Sequence, residues 1–506
     1  ALASPAVGRA QMAETAAPDA RIPAAAARSA AETITANDLR GRLSIIAADS
    51  MRGRATPSPG LRMTAEYVAD QFASFGLEPG AGDGAWLQEY PLTTLRPGDA
   101  AEQQAIITGP DGSWNLSFGD DWLAQYESAF AEGDGDIVVV RVGEDNPDVT
   151  GRIVALRVTL ENLQQVFGGG LGQMLEGDPA GVLLSLDVPE NFMNRLRRFL
   201  EGGRTQLGEP SEDSIPYVLA VHSHLPAPFA ALLADGGDAT GWSAHLQTSA
   251  QVETDSAPNT IGILRGSDPE LADEYVMFTA HMDHLGVARD VEAGADSIFN
   301  GADDDGSGTV TIVELAQAFA SLETAPRRSL VFMTVSGEER GLLGSQWYSE
   351  HPTVPLASTV ADFNIDMIGR NWPDTIVAIG KEESTLGPLV ESIAAAHPEL
   401  DMQVIDDLWP EESFYTRSDH YNFARKGVPI LFFFNGVHDD YHQVSDEVGK
   451  IGYDKMSRIG RLVFYTGLAV AEADEPPRWD ADAYARVVED AATAGDGEGD
   501  EGGGSR

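Results

Sequence analysis

Short motifs in the second half of the chain bring together histidines and carboxylates, the side chains that bind metal ions. The first two are His281-Met-Asp-His-Leu-Gly and Gly301-Ala-Asp-Asp-Asp-Gly-Ser-Gly. Three more follow, namely Ser336-Gly-Glu-Glu-Arg, Asn364-Ile-Asp-Met-Ile-Gly and Tyr441-His-Gln-Val-Ser-Asp. Zinc accepts imidazole nitrogens and carboxylate oxygens, and a catalytic zinc site keeps one position open for water. The residue types therefore predict a site that holds zinc and activates water.

Apolar runs of strand length lie close to these motifs. They are Tyr275–Ala280, Ser329–Val335, Val360–Ile365 and Val428–Phe434. Such continuous apolar runs are typical of strands in a sheet that is covered on both faces. Helical patterns lie between them, over Thr309–Leu322 and Leu386–Ala396. The alternation of strand and helix predicts an α/β fold with a mostly parallel sheet flanked by helices.

The possible ligands share one position relative to this sheet. His281 follows the first strand, Glu338 and Glu339 follow the second, Asp366 ends the third, and His442 lies in the loop after the fourth. In open α/β sheets, ligands bind beyond the carboxyl ends of the strands, so we expect these residues to converge. Two metal ions about 3.5–4 Å apart can act on one reacting centre. A carboxylate from the triple 303–305 could bridge them, although spacing alone does not select which one.

Each motif alone has a simpler interpretation. A His-x-Asp sequence is more often a satisfied surface pair, and Glu338-Glu339 alone would be an exposed turn. The acidic triple could be favoured by the N-terminus of a following helix. Asp366 is less easily explained, because a carboxylate that ends an apolar strand needs a partner. The ordered set is more specific than any of its parts and favours metal binding.

Composition excludes several classes of function. The chain has 80 acidic and 33 basic residues, a formal net charge of −47, and no cysteine. A surface this acidic repels nucleic acid and anionic membranes, so neither is expected as a partner. Without cysteine there are no disulfides, thiolate ligands or cysteine nucleophiles. No apolar run reaches 18 residues, so no membrane-spanning helix is expected. Export after removal of a signal peptide is the expected localisation.

The motifs together resemble those of the co-catalytic zinc aminopeptidase family, which includes bacterial leucyl aminopeptidases. Glutamate carboxypeptidase and the transferrin receptor are more distant relatives. The resemblance is carried by segments that begin at Ala280, Asn300, Ser336, Asn364, Arg417 and Tyr441. The resemblance covers roughly residues 258–471, together with the helical N-terminal part of the chain. It implies the zinc exopeptidase fold with a smaller, β-rich, protease-associated domain inserted into it.

The resemblance also assigns roles to single residues. One zinc ion would take His281, Asp304 and Asp366, and the second would take Asp304, Glu339 and His442. Asp304 would therefore bridge the two ions. Asp283 would orient His281, and Glu338 would act as general base and then as general acid. His284 and His438 are expected to be structural neighbours of the site.

A loop near residue 417 is placed beside the substrate by the same resemblance. Its polar residues are Tyr415, Arg417, Ser418 and Asp419. A turn capped by Ser418 or Asp419 is an equally good interpretation of this loop.

The resemblance and the composition together suggest an organisation of the chain. Residues 1–36 would form a flexible N-terminal segment, and 37–100 with 251–475 a discontinuous zinc peptidase domain. Residues 101–250 would form the inserted domain, and 476–506 an acidic, partly disordered tail. A first helix would start near Asn37 as N-cap, and a second would run from Leu61 to Phe75.

The predicted function is that of a metallo-exopeptidase with two zinc ions, most simply an aminopeptidase acting on peptides. A carboxypeptidase for acidic C-termini is the main alternative, and it would need cations in the pocket. Arg340 and Arg417 are the only cations within the matched motifs. A non-catalytic receptor-like module and a cyclase with a single zinc ion are further alternatives. Side-chain preference and oligomeric state are not predicted by the sequence.

Overall fold

The computed structural model describes residues 22–144, 147–167, 171–212, 214–288, 291–292 and 294–489. The expected disorder of the tail after residue 495 falls outside these ranges. In the described part of the chain, no helix is long and apolar enough to cross a membrane.

The strands are numbered here in chain order. They are β1 (Glu78–Pro79), β2 (Leu87–Pro97), β3 (Gln104–Gly109), β4 (Gly112–Asn115), β5 (Trp122–Gln125), β6 (Phe130–Val140), β7 (Ile153–Thr159), β8 (Gly181–Asp187), β9 (Arg204–Leu207), β10 (Tyr217–Val221), β11 (Ser243–Leu264), β12 (Tyr275–His281), β13 (Gly286–Val287), β14 (Ile298–Phe299), β15 (Ser329–Val335), β16 (Thr359–Asp366), β17 (Thr375–Ile379), β18 (Gln403–Ile405) and β19 (Ile430–Phe434).

The helices are numbered in the same way. They are α1 (Ala24–Ala31), α2 (Ala36–Ile46), α3 (Pro59–Phe75), α4 (Leu163–Gln165), α5 (Leu171–Met174), α6 (Glu190–Glu201), α7 (Ala227–Asp235), α8 (Gly306–Ala320), α9 (Leu343–Glu350), α10 (Leu386–Ala396), α11 (His420–Ala424), α12 (Tyr453–Glu472) and α13 (Ala481–Tyr484).

The main sheet has the order β9-β2-β11-β15-β12-β16-β19-β17-β18, and the short strand β1 also pairs with β11. Its four central strands, β15, β12, β16 and β19, run parallel, while β11 and β17 pair antiparallel with their neighbours on either side. The predicted α/β fold with a mostly parallel sheet is confirmed. The parallel strands are fully buried, which explains their continuous apolar sequences.

The predicted elements differ from the observed ones by a few residues at their ends. Strand β15 and helix α10 have the predicted bounds, and β16 extends one residue further at each end, to Thr359 and Asp366. The first long helix begins at Ala36, and its N-cap is Thr35 instead of Asn37 because the Thr35 side chain accepts from the Asp38 amide. Helix α3 ends as expected at Gly76, which adopts the left-handed conformation of a helix C-cap.

Two apolar cores cover the two faces of the main sheet. On one face, α2, α3, α8, α10 and α12 pack on strand residues that include Phe278, Phe332 and Phe363. On the other face, Met277, Val331 and neighbouring residues pack against side chains of α9 and α11. The resulting three layers leave the carboxyl ends of the parallel strands at one edge of the sheet.

A second unit lies between β2 and β11 in the chain. Its strands β6, β7, β8 and β10 are parallel, β5 pairs antiparallel with β10, and helices α4–α7 accompany them. Two further apolar clusters form its interior. No loop separates this unit from the main sheet near residue 250, because β11 runs without a break from Ser243 to Leu264 and takes part in both. Its identification as a protease-associated domain stays a prediction.

The expectation of a flexible segment over 1–36 is wrong for residues 22–36. Helix α1 lies within this range, and Ala30, Ala31 and Ile34 are buried in the main core. Alanine is the best helix former, so an Ala-rich run that lacks an obvious pattern can still form a helix and bury small side chains. At the other end, residues of the acidic tail pack on the domain up to Val487 and Val488.

The aromatic cluster around Phe278 belongs to the core that covers one face of the main sheet, so it should contribute to the stability of the protein. Phe278 is fully buried and its ring stacks on Phe332 at a centroid distance of 5.2 Å. We expect Phe278→Ala to lower the free energy of unfolding by about 3–5 kcal/mol, measured by urea denaturation. Met63→Ala is the control, because Met63 is 44% exposed and the change should stay within about 0.5 kcal/mol. Equal losses in both variants would contradict this assignment.

Candidate metal centre

His281 is the first of the predicted ligands and ends strand β12. Its imidazole is buried, and Nδ1 lies 3.2 Å from the carbonyl oxygen of Asp283. An imidazole that donates Nδ1–H to this carbonyl directs the lone pair of Nε2 away from it. Nε2 lies 3.3 Å from Asp304 Oδ1 and 3.6 Å from Asp366 Oδ1. His281, Asp304 and Asp366 therefore form one group of potential ligand atoms.

A second group of donors is joined to the first through Asp304. His442 Nε2 lies 3.2 Å from Asp304 Oδ2 and 3.3 Å from Glu339 Oε2. The two oxygens of Asp304 thus face different histidines. His284 also approaches this group, since its Nδ1 lies 2.7 Å from Glu339 Oε1. The structure thus brings all the predicted ligands together. His284, expected only as a structural neighbour of the site, contacts Glu339 directly.

The acidic triple has its position because it begins helix α8. Asp305 caps this helix: its Oδ1 accepts from the amides of Gly308 and Met367, and its Oδ2 accepts from the amide of His281. A Cβ atom at Gly308 would lie 2.1 Å from the carbonyl oxygen of Ile365. Glycine at this position therefore allows the helix to begin directly against the end of β16.

Asp446 supports the triple from the loop that carries His442. It is fully buried, and its Oδ2 accepts hydrogen bonds from the amides of Asp303 and Asp304. His438 contacts the same region, with Nε2 3.2 Å from Asp303 Oδ2. Asp446 lies within a motif that the sequence singled out, but its role becomes visible only from the structure.

Two residues from the start of the domain hold the site in place, and no sequence pattern indicated either of them. Arg54 is fully buried and donates hydrogen bonds to the carbonyl oxygens of Ile46, Met282, Asn300 and Gly301. Thr56 Oγ1 donates to Asp283 Oδ2 and accepts from the amide of Gly337. They lie more than 200 residues before the motifs they support, which is why spacing could not reveal them.

The electrostatics of the cluster favour bound positive charge. Burial alone would lower the pKa of His442, but its contacts with Asp304 and Glu339 raise it to about 10. Burial alone would likewise lower the pKa of His281, but Glu338 and Asp366 raise it well above its usual range. Carboxylates at this density repel one another, and a nearby cation relieves that repulsion.

Unsatisfied acceptor atoms show where a cation fits. Asp304 Oδ2 and Asp366 Oδ1 are buried and have no hydrogen-bond donor among the described residues. Buried carboxylate oxygens without a partner are costly unless they are paired or coordinate a metal. Nitrogen and oxygen donors in groups of three, with an open side, are the ligand set of a catalytic zinc ion. The residues present therefore fit two such ions.

Glu338 lies beside the two donor groups. Its Oε2 is 4.0 Å from His281 Nε2, and its amide donates to Asp283 Oδ1 over 3.2 Å. Burial, together with Glu339, raises the pKa of Glu338 well above its usual range, although His281 opposes the shift. A carboxylate with a raised pKa is suited to accept and return a proton.

A cavity opens onto these groups. The polar part of its wall comes from His281, Asp304, Glu338, Asp366, Arg417, Ser418 and His442, and the rest from Met367, Phe414, Phe432, Phe434, Val437 and Tyr441. Ser418 Oγ donates to Asp366 Oδ2. Of the predicted substrate-binding residues, Arg417 and Ser418 line the cavity. Tyr415 and Asp419 are not among the lining residues, and Asp419 is fully buried.

Arg54 provides a test of how the site is held. We expect Arg54→Met to weaken zinc binding about 10- to 100-fold, because the carbonyls flanking His281 and the acidic triple lose their common donor. Competition with a chelating indicator measures the affinity. Arg52→Met is the matched control, since Arg52 is an exposed arginine two residues away. Zinc affinity unchanged in Arg54→Met would show that these hydrogen bonds do not position the ligands.

Comparisons with known proteins agree with this geometry. Residues 259–467 match the model of peptidase family M28. Over 243 residues the chain is 37% identical to a protein of Arthroderma benhamiae named probable glutamate carboxypeptidase, covering 43% of this chain and 31% of that protein. Over 231 residues it is 25% identical to aminopeptidase YwaD of Bacillus subtilis, covering 44% and 47%. The match thus spans less than half the length of these curated relatives.

A solved structure extends the likeness of fold to most of the chain. The aminopeptidase from Aneurinibacillus sp. strain AM-1 superimposes with a TM-score of 0.57 and 18% identity, covering 89% of this chain and 96% of that one. The donor groups and Glu338 all lie within the segment matched by the family model. Residues 259–467 are therefore similar in sequence to peptidase family M28, and most of the chain shares the fold of a solved structure.

Proposed function

We propose that this protein is a zinc-dependent aminopeptidase that removes N-terminal residues from peptides with two zinc ions. One observation carries the proposal: Asp304 joins two groups of potential ligand atoms, one with His281 and Asp366 and one with Glu339 and His442, and Glu338 lies beside them on the wall of one cavity. The match of residues 259–467 to the model of a peptidase family supports it. So do the relatives and the solved structure that are named aminopeptidases.

The first ion would be held by His281, Asp304 and Asp366, and the second by Asp304, Glu339 and His442. His284 would stay outside the coordination sphere, because its hydrogen bond to Glu339 orients that carboxylate. When bound, two zinc ions lower the pKa of water and stabilise negative charge on a carbonyl oxygen.

Glu338 moves the proton in the proposed reaction. Its carboxylate accepts a proton from the attacking water and then donates it to the nitrogen of the leaving amine. Asp283 positions this residue: its Oδ1 accepts from the Glu338 amide while its carbonyl faces His281 Nδ1. Thr56 fixes the Asp283 side chain in turn, so both the general base and the first histidine depend on one buried residue.

The lining of the cavity favours an apolar N-terminal residue. Phe414, Phe432, Phe434 and Val437 form much of its wall, and aromatic walls bind apolar side chains.

The carboxypeptidase alternative has some support. One relative is named probable glutamate carboxypeptidase. Arg417 lines the cavity and could face a carboxylate, but it is the only arginine or lysine among the lining residues of the described chain. Its guanidinium lies 4.7 Å from the Phe414 ring centroid. A single, partly exposed cation is weak support for a site that binds acidic C-termini, and the aminopeptidase is therefore favoured.

The neighbouring residues Glu338 and Glu339 give a sharp test, because their proposed roles differ. Glu338→Gln should keep two zinc ions per chain and lower kcat by about 10²- to 10⁴-fold, the contribution of a general acid–base. Glu339→Gln should lose one zinc ion. Metal content by mass spectrometry and peptide hydrolysis are measured on both. Activity retained in Glu338→Gln would refute its role as general base.

The metal content of the wild type separates the alternatives. Two zinc ions per chain support the peptidase, one supports the cyclase, and none supports the receptor-like module. Removing zinc with a chelator should abolish hydrolysis, and adding zinc should restore it, because the ligand set holds the ions needed for water activation. Cleavage that is insensitive to the chelator would contradict the mechanism.

A substrate panel tests the direction of cleavage. Peptides with N-terminal leucine or phenylalanine should have kcat/KM at least about tenfold above those with N-terminal aspartate. N-acetylation should abolish their cleavage. Arg417→Gln should leave this pattern intact. Release of C-terminal glutamate from blocked peptides, lost in Arg417→Gln, would support the carboxypeptidase instead.

A further inference from the structure

We propose that a second cavity, formed beside the N-terminal ends of α2 and α12, binds a small multivalent oxyanion such as inorganic phosphate. We call it the basic cavity. Its lining includes Arg40, Arg370, Lys450, Lys455 and Arg458, together with the first turn of α12. None of these residues lines the catalytic cavity, and the inference does not rest on the proposed peptidase activity.

The charge of this lining is opposite to that of the chain. Five cationic side chains line the basic cavity, with Asp454 as the only acidic one among the lining residues. Two of them, Lys450 and Lys455, are among the four lysines of a protein whose net charge is −47. Cations gathered in one concave surface repel one another and attract anions. Composition therefore does not account for this cluster, whereas an anionic ligand does.

Several of these cations have spare capacity to bind an anion. Arg40 and Lys455 have no carboxylate within 4 Å in the described part of the chain, and the guanidinium of Arg40 lies over the ring of Tyr453 at 4.5 Å. Arg370 and Lys450 share one carboxylate, Asp440, at 2.9 and 2.6 Å. Arg370 Nη1 is buried and has no hydrogen-bond acceptor among the described residues.

The more buried cations of the cavity are held rigidly. Lys455 is 4% exposed and donates to the carbonyl oxygen of Arg370. Arg458 donates to the carbonyl oxygens of Pro373, Leu400 and Asp401. Arg458 also lies 3.8 Å from the exposed carboxylate of Asp401, but the shorter contacts of both side chains are with neutral carbonyl groups, which fix them and leave most of their charge available. The cavity is therefore organised before a ligand arrives, which lowers the entropic cost of binding.

The helix that borders the cavity adds further donors. Helix α12 has 20 residues, and its N-cap, Gly452, provides no side-chain hydrogen bond. The first amides of a helix have no partner within it, and the positive end of the helix dipole favours an anion there. Tyr453, Asp454 and Lys455 form this first turn and line the cavity. Helix amides and fixed cations together are the donor set that binds phosphate.

Calorimetric titration of the zinc-loaded protein with inorganic phosphate, at constant ionic strength, tests the proposal. Arg40→Gln/Lys450→Gln removes two cations whose side chains are not needed to satisfy buried carbonyl groups. Arg52→Gln/Lys426→Gln is the matched control, because it removes one arginine and one lysine that are exposed elsewhere. Circular dichroism and thermal unfolding establish that both variants are folded.

The wild type and the control should each show one saturable phosphate-binding event. Its dissociation constant should be at least about tenfold higher in Arg40→Gln/Lys450→Gln. Peptide hydrolysis without phosphate should be the same in all three proteins. Phosphate that binds equally well to Arg40→Gln/Lys450→Gln would be bound elsewhere, for example at the zinc ions, and would overturn the proposal. Absence of saturable binding to the wild type would overturn it as well.

Discussion

Repulsion between buried carboxylates is the constraint on which the site depends. Asp304, Asp305, Glu338 and Asp366 lie together at one edge of the sheet with little access to water. Ionised groups in such a place are stable only when positive charge or hydrogen-bond donors surround them. Backbone amides satisfy Asp305, while oxygens of Asp304 and Asp366 remain without donors. Among these four residues, the buried oxygens that lack a donor thus belong to the two that are proposed as metal ligands.

The parallel sheet makes this concentration of charge feasible. Its strands end at a common edge, so residues distant in sequence meet there while the apolar strands provide the surrounding stability. The first turn of α8 lies against the end of β16, where Gly308 allows close approach. Met367 and His442 adopt positive φ angles of 53° and 56° next to the ligands. Non-glycine residues take such conformations at sites where the surrounding structure imposes them.

The sequence predicted the parts of the structure that have local patterns. Buried parallel strands are continuous apolar runs in the sequence. This pattern allowed the bounds of β15 to be predicted, and it allowed the ligands to be assigned to the ends of the strands. Arg54 could not be found in this way, because an arginine in a Gly- and Pro-rich stretch resembles an exposed loop residue. Its burial depends on four carbonyl groups from distant segments. Helix α1 was missed for a different reason: alanine is compatible with both a disordered segment and a small buried helix face.

Strand β11 has a mechanical consequence for the whole protein. It leaves the second unit, enters the main sheet and pairs with β2 at 11 positions, from Ala250 opposite Pro97 to Thr260 opposite Leu87. At about 3.4 Å per residue this forms a ribbon about 37 Å long, and β9 adds a third strand beside Leu92–Leu95. A ribbon of this kind resists bending within its plane, whereas twist and bending out of the plane are easier. Motion of the second unit relative to the main sheet would therefore follow these two directions, unlike a free swing about a loop hinge, and its force would reach the sheet two strands away from His281.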